Sequence, residues 1–310
     1  MIVPERKQRW LGLVFTYRGS ALQRIRYRLL FVVAVATAVT LLHAHKPLTS
    51  TFGLTPFSLI GLALSIFLGF RNNTSYDRFW EGRKLWGSLV NVTRSFARKA
   101  HLLIGPLPEA QGTGSAQQHV VQLVIAYVHA LRMHLRSRID WAELEQYLSA
   151  EQLQGLTGQK NVPLAVLKQV SDALSIYAGA GAIHPLHVST LDASLDELAN
   201  IQGGCERIKS TPIPHSYTVL IHRIVALYVF ALPLGLVVQL QYWTPLVVGI
   251  IAYAFLGLDA VGDEIEDPFG EDLNDLPLAT LSRMIEVNLR QLLGQSDPPE
   301  LLQPKDGVLL

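Results

Sequence analysis

Apolar positions along this chain collect into three uncharged runs, and the stretches between them are amphipathic. The first run, Leu29 to His45, has the core LLFVVAVATAVTLL and carries no charge beyond any on its two histidines. At 1.5 Å per residue it reaches about 25 Å, enough to cross a bilayer core with its flanks. Arg24, Arg26 and Arg28 resemble the basic start of a signal peptide. However, 28 residues precede the core and no small-x-small cleavage site follows it, so the run reads as a retained span. The second run, Pro47 to Phe70, ends at Arg71. Within it Thr55-Pro56 reads as an N-cap followed by proline at the first helical position. The helical pattern then continues past Phe70 through NNTSYDRFWEGRKLWGSLVNVTRSFARK without a break. The third run, 35 residues from Ile224 to Leu258, is too long for one span and fits two short ones. QLQYWTP, Gln239 to Pro245, supplies the polar residues, interfacial aromatics and helix-breaking proline of the turn between them. Pro233 falls mid-span, where neighbouring helices or water can re-satisfy the freed backbone. The expectation is four transmembrane helices in two hairpins.

Basic residues orient the spans. Lys46 is the only lysine or arginine in either expected outer loop, whereas Arg6, Lys7, Arg9, Arg24, Arg26, Arg28, Arg71, Arg78, Arg83 and Lys84 flank the other side. The positive-inside rule puts both termini and the long central segment in the cytoplasm, with the chain multi-pass in the inner (plasma) membrane. The expected organisation is a cytosolic segment 1–28, a first transmembrane hairpin 29–70, a helical cytosolic domain 71–215, a second hairpin 216–262, and an acidic segment with a tail, 263–310.

In the central segment, GPLPEAQGTGSAQQH (Gly105 to His119) reads as a loop. Val120 to Arg136, Trp141 to Leu156, Pro163 to Ala178 and Leu186 to Ile208 carry apolar residues at helical spacing. Nothing alternates long enough to argue for a sheet, so the fold class is all-α. The stretch SDPPELLQPKDGVLL reads as an extended or disordered tail.

Composition supports a membrane chain and removes several function classes. Hydrophobic residues make up 49% and charged residues 16%, against roughly 25% charged in a typical soluble domain; mean hydropathy is +0.27. A net charge of +1 gives no electrostatic footprint for nucleic acid. Cys205 is the only cysteine, which rules out an intrachain disulfide and suits a reducing compartment. His184 and His187 sit three apart, His129 and His134 five apart, and no nearby cysteine or carboxylate completes a zinc set. There is no phosphate-binding glycine loop, nucleophile elbow or HExxH, so no catalytic residues and no enzyme activity are expected.

Two stripes lie side by side in SLIGLALSIFLGFRNN. Gly61, Ser65 and Gly69 form a small-xxx-small face for close helix packing. Leu62, Ile66 and Phe70 recur with the same step on the adjacent face. Taken alone, such an apolar stripe faces lipid or core more often than a pore, although a hydrophobic constriction can gate by dewetting. Spacing leaves both readings open.

FLGFRNNTSYDRFWEGRKLWG and TYRGSALQRIRYRLL resemble the bestrophin family, particularly its prokaryotic branch. CERIKSTPIPHSY (Cys205 to Tyr217) and EIEDPFGEDLNDLPL (Glu264 to Leu278) extend the match, with all four motifs in the expected order. The resemblance implies a homopentamer in membrane lipid around one central pore, whose neck falls on Leu62, Ile66 and Phe70. It also implies a second constriction at the cytosolic exit, near Ser189. There Val188-Ser189-Thr190 stands where the family commonly has a bulky aliphatic residue.

Asp263 to Asp275 holds seven carboxylates in thirteen residues directly after the last span. A solvated, helix-capping acidic turn is one reading. An EF-hand is excluded, because with Gly270 as the turn glycine the first and third ligands would be Ile265 and Phe269. In animal bestrophins this block forms a calcium clasp. By resemblance the ligand positions here would be Glu264, Asp267, Asp272 and Asp275, all with oxygen donors for Ca²⁺ or another divalent cation. Prokaryotic members are not generally regarded as calcium-gated.

Two functions follow. The first is a pentameric channel passing monovalent ions passively, with charge selectivity left open: the acidic surroundings lean towards cations, while the family naming says chloride. The second is a membrane-anchored metal-dependent sensor or enzyme that works through the acidic cluster.

Overall fold

A computed structural model describes residues 1–2, 10–46, 54–106 and 115–309. Its helices are α1 (Trp10–Val14), α2 (Ala21–His45), α3 (Leu54–Leu103), α4 (Ala116–Leu135), α5 (Trp141–Leu144), α6 (Ala150–Leu156), α7 (Val162–Gly179), α8 (Pro185–Ser210), α9 (His215–Leu240), α10 (Thr244–Glu266) and α11 (Leu278–Leu292). Among the described residues no strand forms, only isolated bridges, so the chain is all-α as expected. Arg6, Lys7, Arg9 and Pro47 lie outside the described residues. The chain divides into two compact units: 4–80 with 212–267, and 1–3 with 81–211 and 268–310. A boundary between these units falls inside α3, after Trp80.

Among the described residues three stretches are long and apolar enough to cross a membrane: Ala21–His45, Leu54–Leu103 and His215–Glu266. The last is divided by a one-turn 3-10 helix at Gln241–Trp243. Gln241 adopts φ 45°, in the left-handed region that few non-glycine residues occupy, and Pro245 sits in the first turn of α10. The turn therefore falls within the QLQYWTP segment, and α9 and α10 pack against each other, with α2 against both. The core of this unit is a row from each helix: Ile25, Val32 and Ala36 of α2, Leu64 and Leu68 of α3, Val225 and Leu232 of α9, Val248 and Ala252 of α10. Glycines admit two aromatic side chains. A Cβ on Gly235 would stand 2.3 Å from the Phe57 ring, and one on Gly61 would stand 2.5 Å from the Tyr228 hydroxyl. Helix α3 begins at Leu54, so Thr55 and Pro56 belong to its first turn and Thr55 is not the N-cap. Proline is tolerated there because first-turn N–H groups have no intrahelical acceptor.

The second unit is built around α4, which is buried on nearly all sides and packs on α7, α8 and α11. It starts at Ala116, four residues before the apolar periodicity begins, because Ser115 and Gln118 form a capping box. The stretch expected as one helix from Trp141 to Leu156 is two, since Ser149 starts α6 with a capping box of its own. Helix α11 follows the acidic segment and buries Ile285, Glu286 and Leu289. The tail runs extended, turns at Lys305–Val308 and pairs Ile2 with Val308.

Candidate functional site

Helix α3 presents two different faces within the span-bearing unit. Gly61, Leu64, Leu68, Arg71 and Ser75, at alternating steps of three and four, are all buried. Leu62, Ile66 and Phe70 are 63, 51 and 61% exposed, against 2 and 0% for Leu64 and Leu68. Three large apolar side chains at successive turns thus stand more than half uncovered in their own unit. Of the expected small-residue stripe, Gly61 alone packs within this chain. Ser65 returns its hydroxyl to the Gly61 carbonyl at 2.7 Å, and a Cβ on Gly69 would meet nothing within 4 Å. The intrachain packing face is therefore rotated onto Leu64 and Leu68, because leucine fills the space between helices that a serine leaves open.

The turn after Phe70 holds a feature that hydropathy did not reveal. Arg71 is fully buried; its Nη1 lies 2.7 Å from Asp259 Oδ1, and its Nη2 contacts Asp263 Oδ1. Asp259 Oδ2 in turn faces His222 Nδ1 at 2.7 Å. Asp259 and Asp263 are one turn apart on α10, and His222 comes from α9, so one guanidinium and one imidazole tie three helices. The neighbouring Asn72 donates Nδ2–H to the Leu258 carbonyl at 3.1 Å. Gly262 permits this approach, since a Cβ there would lie 2.4 Å from Asn72 Oδ1. His222, Asp259 and Asp263 are also close enough together to hold a metal ion, but Arg71 already supplies the positive charge. The signal available in the sequence was register: Arg71 falls three residues after Leu68 and seven after Leu64, on the inward face, and an arginine there requires carboxylates.

The acidic segment is largely engaged in structure. In the span-bearing unit Glu264 is 8% exposed and lies 3.4 Å from Arg24 Nε, while Glu266 accepts the Ile213 N–H at 3.0 Å. In the second unit Asp275 accepts the Asp272 N–H at 2.7 Å, and the Asp275 N–H donates to the Asp272 carbonyl at 3.1 Å, a self-capped turn. Between these, Phe269 is fully buried against Gly82, whose absent Cβ leaves room for its ring. Glu264 thus faces a cation and Asp275 a backbone donor, each through one of its two carboxylate oxygens.

In the second unit, Ser189 is exposed on α8, with Val188 half-buried and Leu186, one turn earlier, 77% exposed. His184 caps α8, its Nδ1 accepting the Leu186 N–H at 3.3 Å. His129 is buried, with Nδ1 2.9 Å from Glu143 and Nε2 3.3 Å from Glu286. Arg132 contacts Glu143, and Arg283 and Arg290 each lie 2.9 Å from Glu286. Burial alone would raise the Glu143 carboxyl, but His129 and Arg132 outweigh it and hold the group at about 2. Burial likewise opposes ionisation of Glu286, and His129 with the two arginines holds that carboxyl below its usual range. Burial pushes the Cys205 thiol up to about 12, so it is a packing residue rather than a nucleophile.

Long apolar helices tied together by a buried ion-pair cluster are those of an α-helical membrane protein. Residues 1–291 match the family described as bacterial/fungal bestrophin protein, and the chain belongs to the bestrophin family. It is 39% identical over 287 residues to a voltage-dependent anion channel-forming protein of Ralstonia nicotianae, with 92% of each chain covered. It is 37% identical over 300 residues to voltage-dependent anion channel-forming protein YneE of Escherichia coli K12, with 96% of each covered. A crystal structure of a bestrophin homolog from Klebsiella pneumoniae superposes with a TM-score of 0.80 at 33% identity, covering 88% of this chain and all of that one.

Proposed function

We propose that the chain is the subunit of a bestrophin-type ion channel, a homopentamer that passes monovalent ions passively through a central pore with its neck at Leu62, Ile66 and Phe70. The observation that carries this reading is the exposed apolar stripe on a helix whose opposite face is locked by Leu64, Leu68 and Arg71. Side chains of this size, repeated around a symmetry axis, make an uncharged ring that closes by dewetting. The chain crosses the inner membrane four times, α9 and α10 forming the second hairpin, with both termini in the cytoplasm. This is supported by the basic flanks of the spans and by the turn at Gln241. Ser189 lies at the cytosolic exit, which is more polar than an aliphatic ring. The relatives' names make anions the first ions to test. A sensor or enzyme built on the acidic segment lacks comparable support, because Glu264 and Asp275 are already engaged.

Purified protein in liposomes tests the proposal. Ion flux is expected, and alanine at Leu62, Ile66 and Phe70 together should raise it by widening and wetting the neck. The reversal potential in asymmetric salt reads the sign of the permeant ion. Absence of flux, or flux indifferent to the triple substitution, refutes the neck.

A further inference from the structure

We propose that the groove between the C-terminal part of α3 and α11 binds a small polyphosphate anion through Arg94 and Arg98. Arg94, Ser95, Arg98, Asn288, Gln291 and Leu292 line a cavity of about 530 Å³, a size suited to a nucleotide-like molecule. The lining brings two guanidiniums, a hydroxyl and two carboxamides together and contains no carboxylate. That composition is a donor set for an anion. Elsewhere in this unit Arg132, Arg207, Arg283 and Arg290 each lie against a glutamate. Arg94 and Arg98 have no ion pair or hydrogen bond among the described residues. The Asn288 Nδ2 is buried and lacks an acceptor, a condition that native structures avoid unless a ligand or water takes the donor.

The geometry points to adjacent phosphates. Residues four apart on a helix have Cβ atoms about 5–6 Å from each other, so two planar guanidinium forks can each grip one phosphate of a pyrophosphate unit. Complementing the helix dipole does not explain the pair, because Arg94 stands more than two turns before Leu103, where α3 ends. The same chemistry occurs in free polyphosphates and in phospholipid headgroups.

Isothermal titration of the intact full chain in detergent, with pyrophosphate as probe at low salt, tests the site. Saturable binding of one pyrophosphate per chain is expected, weakening as salt rises. Arg94→Gln with Arg98→Gln should weaken it at least tenfold, whereas Arg138→Gln, at an exposed arginine outside the groove, should leave it unchanged. Competition by phosphatidylglycerol vesicles would identify a lipid headgroup as the source, and indifference to them a soluble anion. No saturable binding, as when another copy of the chain covers the groove, overturns the proposal, and so does equal affinity in the double variant. If the glutamine pair fails to elute as the wild type does, Arg94→Lys with Arg98→Lys is used instead. That pair keeps the charge but loses the forks, and unchanged affinity there also overturns the proposal.

Discussion

Replacing Arg71 with methionine should be among the most damaging single changes in the span-bearing unit. The guanidinium is fully buried and its principal partner, Asp259, is 3% exposed, so the variant leaves a carboxylate without its cation where water does not reach. Breaking a buried ion pair from one side costs about 3–5 kcal/mol. The remaining contact of Asp259 with His222 at 2.7 Å puts the loss at the low end, about 3 kcal/mol. Asp263 is 37% exposed and adds at most about 1 kcal/mol, since solvent screens it. The loss, about 3–4 kcal/mol, amounts to a shift of several hundredfold in the folded-to-unfolded ratio. Thermal denaturation of detergent-solubilised protein, followed by the loss of its size-exclusion peak, reads the effect. Arg71→Met should denature well below the wild type, and adding Asp259→Asn should recover part of the difference by removing the orphaned charge. Arg71→Lys should fall between, since an ammonium cannot fork to two carboxylates. Wild-type stability of Arg71→Met, or no recovery with Asp259→Asn, would refute the role given to the cluster.

Three further outcomes follow from the same contacts. Gly235→Ala should destabilise by about 1–3 kcal/mol in the same assay, because the new methyl overlaps three atoms of the Phe57 ring, whereas Gly69→Ala should not, its Cβ meeting nothing within 4 Å. Glu143, held at about 2 from an ordinary 4.5, stabilises the second unit fully above pH 4.5, and this is lost as pH falls towards 2. After allowance for its partial exposure this amounts to about 1–3 kcal/mol, so Glu143→Gln should flatten the acid limb of a stability–pH curve followed by tryptophan fluorescence. Calcium titrated by calorimetry should show no stoichiometric binding, since Glu264 and Asp275 are engaged; a site lost in Asp272→Ala would reverse that reading.

The spans were legible because lipid-crossing segments must be long and uncharged, a condition that leaves few alternatives. QLQYWTP announced its turn through proline and polarity, and α7 and α8 lie within two residues of their expected ends. The helix from Trp141 to Leu156 was not legible as two, because Ser149 reads as an interior polar residue until its capping bonds are seen. The exposed stripe is visible as a period, but not which face of α3 its own unit covers: Gly61, Leu64 and Leu68 are buried there, and Ser65 and Gly69 are exposed. In the sequence Arg71 reads only as one of the flanking cations. Its partners lie 188 and 192 residues away, beyond the reach of local pattern.

Within the span-bearing unit α3 runs over residues 54–80, about 40 Å, without a proline beyond its first turn. With no proline kink there, that stretch transmits torque better than bending. A rotation of about 20° around its axis would sweep side-chain tips at a radius of about 6 Å through about 2 Å. For Leu62, Ile66 and Phe70 together, that displacement compares with the radius of a water molecule. Because Arg71 ties this turn of α3 to α10, and His222 ties α10 to α9, such a turn has to break that anchor or carry the neighbouring helices with it.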